Sequence, residues 1–204
     1  MKNNIYNQTE FLFSANHPSQ FPPDDGREVA FAGRSNTGKS SVINAVTGKR
    51  ALARVSKTPG RTQLINFFTV TDQIRLVDLP GYGYARVSGT LQQHWARLTS
   101  AYFNDRTSLQ GLILVTDIRR QLTEYDEQML RWSLDHEIPV HVLLNKGDKL
   151  STSAAKQALT AVRKRIEDES ASVQLFSALK KTGLTEVHAQ LDEWLLKKRK
   201  APDC

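Results

Sequence analysis

At 204 residues, with 39% hydrophobic and 24% charged residues, the chain has the balance of one soluble globular domain. No apolar run approaches the ~20 residues of a membrane-spanning helix, and the one cysteine, Cys204, leaves no internal disulfide and no cysteine-based zinc cluster. The formal net charge of +7 is concentrated: residues 49–62 hold five basic groups and no acid, the tail from Lys197 holds four basic groups and one acid, and the remainder is near neutral.

The elements follow in chain order. Residues 1–26 are expected as an N-terminal extension. They lack the continuous apolar core of a secretion signal, and the expected location is the cytoplasm. "EVAFAG" reads as a buried strand and "KSSVINAVTG" as a helix ended by Gly48. "LINFFTV" and "IRLVDLP" read as two strands joined by a tight turn at "TDQ". In "TLQQHWARLTSAYF", Leu91, Trp95, Leu98 and Tyr102 fall on one helical face. "GLILVTD" is a strand, "TEYDEQMLRWSLDHE" a helix, and "IPVHVLLNKGD" a strand. "TSAAKQALTAVRKRIEDE" is an amphipathic helix, "SVQLFSA" a last strand and "GLTEVHAQLDEWLLKK" a last helix, with Leu184, Val187, Leu191 and Trp194 inward.

Helix and strand alternate, and the later strands are apolar throughout, as strands buried on both faces must be. The fold class is therefore α/β, in three layers. A six-stranded, mostly parallel sheet has one antiparallel edge strand from the hairpin and helices on both faces. One domain is expected over 27–198, with 199–204 as a basic tail. In such sheets ligands sit beyond the carboxyl ends of the strands, and each motif below falls at such an end.

"GRSNTGKSS" spans Gly33, Arg34, Ser35, Asn36, Thr37, Gly38, Lys39, Ser40 and Ser41. It matches G-x-x-x-x-G-K-[ST] between a strand and a helix, the setting of a phosphate-binding loop. The glycines let the backbone turn its N–H groups onto phosphate oxygens, and the helix points its positive end at them. Lys39 would neutralise β- and γ-phosphates, and Ser40 would bind Mg²⁺. The alternative is a polar turn before a helix. Further on, "DLPG" places Asp78 at a strand end, followed by Leu79, Pro80 and Gly81. Asp78 can hold Mg²⁺ through water, and the Gly81 N–H can report the γ-phosphate.

"NKGD" gives Asn145, Lys146, Gly147 and Asp148 at the next strand end. A carboxylate accepts two hydrogen bonds from guanine, from N1–H and from the exocyclic amino group. Adenine offers no such pair, so Asp148 would be left unpaired with ATP, and that gives selectivity. The aliphatic stem of Lys146 can cover the base. "FSALKK" brings Ser177, Ala178 and Leu179 to the last strand end, where the Ala178 N–H could donate to guanine O6. A metabolic P-loop kinase would have no guanine motif. One piece remains, a threonine that closes over Mg²⁺ and the γ-phosphate. "SKTPGRTQ" offers Thr58 and Thr62, inside the basic segment, which reads as a first switch ordered by triphosphate.

Together, "EVAFAGRSNTGKSS", "SKTPGRTQLINFF", "VDLPGYGYARV", "NKGD" and "FSALKK" resemble the EngB-type GTPases. These lie within the superfamily of Era, EngA, TrmE and the septins, on the P-loop NTPase (Ras-like GTPase) fold. The resemblance implies that Thr62, rather than Thr58, binds Mg²⁺. It implies nucleotide contacts from Gly60, Arg61, Thr62, Gln63 and Leu64, with Lys39, Thr62 and Gly81 acting in hydrolysis. It implies GTP and GDP as ligands and a role in assembling the large (50S) ribosomal subunit through its rRNA. It further implies a requirement for normal division and septation, and a monomer. A division-site GTPase acting through protein contacts is the competing expectation. Many Ras-like GTPases place a water-orienting glutamine after "DLPG". Here that residue is Tyr82, so intrinsic hydrolysis is expected to be slow. In some relatives lacking the glutamine, the residue at Asn36 helps hold a potassium ion; a loop-shaping hydrogen bond is the alternative.

Overall fold

A computed structural model describes residues 4–53, 64–83, 89–166 and 171–197. Among these residues, seven strands form one sheet in the order β1-β3-β4-β2-β5-β6-β7. They are β1 (Glu10–Ala15), β2 (Arg27–Ala32), β3 (Ile65–Thr71), β4 (Ile74–Asp78), β5 (Leu109–Asp117), β6 (Val140–Asn145) and β7 (Ala171–Leu175). The α-helices that cover it, among the described residues, are α1 (Lys39–Val46), α2 (Gly89–Asp105), α3 (Glu124–Asp135), α4 (Thr152–Arg165) and α5 (Leu184–Leu196).

Alternation along the central strands builds two cores. Ala30, Ala32, Leu112 and Leu114 face one way, toward Leu98 and Tyr102 of α2, Leu130 of α3 and Val162 of α4. Val29, Phe31, Ile113 and Val115 face the other, toward Val42, Ile43 and Val46 of α1 and Val187 and Leu191 of α5. Both faces being apolar, these strands take only parallel neighbours with helical crossovers. The helix faces read from sequence hold at Leu98, Tyr102, Val187 and Leu191, all buried, while Leu184 and Trp194 are partly buried against the same core. The side chains of Leu91 and Trp95 lie outside the described residues. Among the described residues, no helix is long and apolar enough to cross a membrane.

The strand count differs from the expected six. β1, within the expected N-terminal extension, pairs antiparallel with β3 and so becomes the sheet edge. The hairpin strand β3 is antiparallel to β4, as expected, but is interior rather than at the edge. The segment before β1 is also fastened. Tyr6 is buried, stacks on His188 at 5.2 Å and donates to Asp192 at 2.8 Å.

After β1, the chain is held at the end of the sheet away from the phosphate-loop motif. Glu28, fully buried at the start of β2, accepts from Arg75 Nε at 2.9 Å, from the Tyr102 hydroxyl at 3.0 Å and from Arg106. The two guanidiniums also donate to the carbonyls of Pro22 and Pro23, at 2.7 and 2.8 Å. A buried carboxylate is tolerated only with such full pairing.

Candidate functional site

The carboxyl ends of β2, β4, β5, β6 and β7 converge on one edge, and every described motif residue lies there. The phosphate-loop motif leaves β2 and turns into α1. Its glycines have specific causes. A Cβ on Gly33 would come within 2.4 Å of the Val115 carbonyl oxygen. Gly38 has φ +95°, and its Cβ would meet Asn145 Nδ2 at 2.5 Å. Gly38 is also the N-cap of α1 and supplies no side-chain cap. The first-turn N–H groups of α1 are therefore left for another acceptor, beside the positive end of the helix. A site of this kind suits a phosphate.

Lys39, in the first turn of α1, forms an ion pair with Asp78 at the end of β4. Asp78 also accepts from Asn66 Nδ2 at 3.4 Å. Ser40 follows Lys39 in the same turn and is half-buried. After Asp78, Leu79 donates its N–H to the Phe31 carbonyl at 3.0 Å and is buried, which anchors the "DLPG" turn. Gly81 then runs against the phosphate-loop motif: a Cβ there would meet Ser35 Oγ at 3.1 Å, and the Ser35 N–H donates to the Tyr82 carbonyl at 3.0 Å.

Tyr82 packs toward α3. It is buried, and its hydroxyl donates to Asp126 of α3 at 2.6 Å. Burial and the Asp126 charge push the phenol well above its ordinary pKa. The other Asp126 oxygen accepts from the Thr123 N–H and hydroxyl, at 2.9 and 2.7 Å, and caps α3. A neutral, buried phenol used in this way cannot orient a water in place of the missing glutamine. Tyr82→Phe is accordingly expected to cost about 1–2 kcal/mol of stability, through the unpaired Asp126 oxygen. It should leave single-turnover GTP hydrolysis within about twofold; a larger rate loss at equal stability would give the hydroxyl a chemical role.

At the β6 end, Asn145 is buried and spans two loops. Its amide donates to the Thr37 carbonyl at 2.8 Å, and its oxygen accepts from the Ala178 N–H at 3.1 Å. Asn145 thus ties the phosphate-loop motif to the loop after β7. Asp148 is half-buried, and its carboxylate accepts from the Ser177 hydroxyl at 2.5 Å. That hydroxyl holds its pKa below the ordinary value. Gly147 donates its N–H to the Phe176 carbonyl at 2.9 Å, which fixes the turn. Leu179 is 73% exposed.

Lys146 has φ +64°, and its ammonium donates to the Asn36 carbonyl at 2.6 Å and to Asp117 Oδ2 at 2.9 Å. Asn36 has φ +67° and is exposed. Asp117 ends β5 opposite Asn145 and belongs to none of the nucleotide motifs. Its place as a polar residue closing an apolar strand was the available signal. Among the described residues, a cavity of about 250 Å³ opens beside Asn36, Asp117, Arg119, Asp126 and Lys146. Leu64 immediately precedes β3 and is half-buried. Thr58, Gly60, Arg61, Thr62 and Gln63, and residues 198–204 of the basic tail, lie outside the described residues.

Residues 28–146 match the family model described as 50S ribosome-binding GTPase. The chain is 50% identical over 191 residues to a probable GTP-binding protein EngB of Coxiella burnetii, covering 93% of each. It is 52% identical over 195 residues to the corresponding Nitrosococcus oceani protein, covering 95% of this chain and 98% of that one. Its fold is similar to a crystal structure of a probable GTP-binding protein EngB, with a TM-score of 0.68 at 22% identity over 84% of this chain and 100% of that chain. It is also similar to Aquifex aeolicus Era bound to GDP and aluminium fluoride, with a TM-score of 0.66 at 18% identity over 88% of this chain and 60% of that one.

Proposed function

The chain belongs to the EngB family of GTP-binding proteins, and from that membership we propose a GTP-driven switch that acts on the large ribosomal subunit during its assembly. The observation that carries the proposal is the convergence of three kinds of group on one edge. They are the uncapped α1 terminus with Lys39, the "DLPG" turn with Asp78 and Gly81, and the Asp148–Ser177 pair. The first binds phosphate, the second senses its terminal group, and the third selects guanine.

The donor set suits Mg²⁺. Ser40 and Asp78 offer oxygens beside the uncapped α1 terminus, where Lys39 already pairs with Asp78, and Thr62 would add a third when triphosphate is bound. Bound there, Mg²⁺ would supply charge neutralisation on the β- and γ-phosphates. The chain's own work is positioning. Lys39 leaves Asp78 for phosphate oxygens, and the Gly81 N–H meets the γ-phosphate. Asp148 accepts from the guanine N1–H and amino group. Hydrolysis is slow because no described side chain takes the glutamine's place. Asn36 has two readings, a potassium ligand or a loop-shaping residue. Hydrolysis rates in potassium against sodium separate them.

In the cell this switch is read as a cytoplasmic monomer that supports division and septation through ribosome assembly. Its two basic segments, 49–62 and the tail, contact rRNA. The alternative, a division-site GTPase working through protein contacts, makes ribosomal binding incidental. Sedimentation through sucrose gradients separates the two. With a non-hydrolysable GTP analogue the protein should move with large-subunit particles, and with GDP it should not. Thr62→Ala should abolish that GTP-dependent association while sparing GDP affinity, and Thr58→Ala should do much less. Equal effects of the two substitutions would remove Thr62 from the Mg²⁺ site, and absence from the particles in both nucleotide states would favour the alternative.

A further inference from the structure

We propose that Asp117 is a positioning residue of the nucleotide site, holding Lys146 over the base and, through Lys146, fixing the phosphate loop at Asn36. The inference rests on the proposed guanine site. It goes beyond it by adding a residue outside the recognised motifs.

The argument begins with backbone cost. Lys146 and Asn36 are both non-glycine residues at positive φ, +64° and +67°. Each conformation costs on the order of 1 kcal/mol and persists only where its surroundings enforce it. The two residues meet directly, since the Lys146 ammonium donates to the Asn36 carbonyl at 2.6 Å. One hydrogen bond from a long, flexible side chain is a weak clamp. The second contact makes it firm: the same ammonium lies 2.9 Å from Asp117 Oδ2. Asp117 is itself held, being buried at the end of β5 and paired in parallel register with Asn145, the residue next to Lys146. Asp117 therefore sits on the sheet and presents a charge to the ammonium that also holds the Asn36 carbonyl.

Burial alone would raise the Asp117 pKa. Hydrogen bonds from the Arg119 side chain, from Lys146 and from the Arg119 N–H instead hold it well below the usual carboxylate range, so the charge persists at neutral pH. Arg119 shares the carboxylate, with Nε at 2.9 Å and a terminal nitrogen at 2.6 Å, and it is half-exposed. It touches neither Asn36 nor the base motif through any described contact. Arg119 thus serves as a counter-ion for Asp117, and Lys146 carries the effect into the site. No acidic side chain other than Asp117 pairs with the Lys146 ammonium among the described residues.

The test is the dissociation rate of fluorescent GDP and GTP from the full chain. Lys146→Met keeps the stem that covers the base and removes the ammonium. It should speed release of both nucleotides about tenfold, a change of about 1.4 kcal/mol. Asp117→Asn should do the same by a similar factor, with the GTP-to-GDP ratio unchanged. Combined, they should release nucleotide no faster than the faster single variant, because both break one tether. Arg119→Ala should stay within about twofold of the parent. Four results would overturn the proposal. Wild-type release from Lys146→Met would show that the stem alone suffices, which holds even if Asp117→Asn fails to fold. Wild-type release from a folded Asp117→Asn would remove Asp117 from the site. Multiplying effects in the double variant would separate Asp117 from Lys146. Release from Arg119→Ala as fast as from Asp117→Asn would assign the effect to the loop after β5.

Discussion

Lys39→Ala is expected to lower affinity for GTP and GDP by about a thousandfold, or roughly 4 kcal/mol. Two losses combine. The charge that meets the phosphates disappears, and Asp78, 6% exposed, loses the ammonium that balances it. An uncompensated carboxylate then faces the incoming phosphates and repels them. Isothermal titration with each nucleotide measures the effect, and circular dichroism checks the fold. The fold should persist, because Lys39 lies at the open edge and not in either core. Affinity within tenfold of the parent, with native dichroism, would take the phosphates away from this helix terminus.

Asp148→Asn should cost GTP and GDP alike about 2–3 kcal/mol, near a hundredfold. The amide places a donor where guanine also donates. Xanthosine nucleotides carry a carbonyl in place of that amino group, so their affinity should rise in the same variant. The Ser177 hydroxyl adds a pH signature. Asp148 has a depressed pKa in the folded chain, so its contribution is present above the ordinary carboxylate pKa. It is lost only as pH falls through the lower value. Guanine affinity should therefore be flat from pH 5 to 8. Unchanged GTP binding in Asp148→Asn would show that the base lies elsewhere.

The motif residues were legible in sequence because each group is contiguous and closes an apolar strand. Their mutual geometry was not, because it depends on long-range pairing. Asn145 reads as part of a base motif, yet its amide bridges Thr37 and Ala178. Tyr82 reads as a departure from a glutamine, and only its contact with Asp126, 44 residues on, explains where the side chain goes. β1 is illegible for a different reason. "EFLFSA" has no clean alternation, Phe11 and Leu12 are both exposed, and the register with β3 shifts between Phe11 and Phe13. Half-exposed edge strands carry little burial signal. Without β1, the hairpin strand β3 reads as the edge of the sheet.

The central claim, that nucleotide state and ribosomal binding are coupled, has a direct test in reciprocity. If GTP favours binding to large-subunit particles, the particles must favour GTP by the same factor. The measurement is dissociation of GTP and of GDP from the full chain, with and without large-subunit particles, at low and moderate salt. Particles should slow GTP release at low salt, less so at moderate salt as counterion release weakens the RNA contact, and leave GDP release unchanged. GTP release at one rate in all conditions, or equal slowing of both nucleotides, would contradict a switch that reads the large subunit.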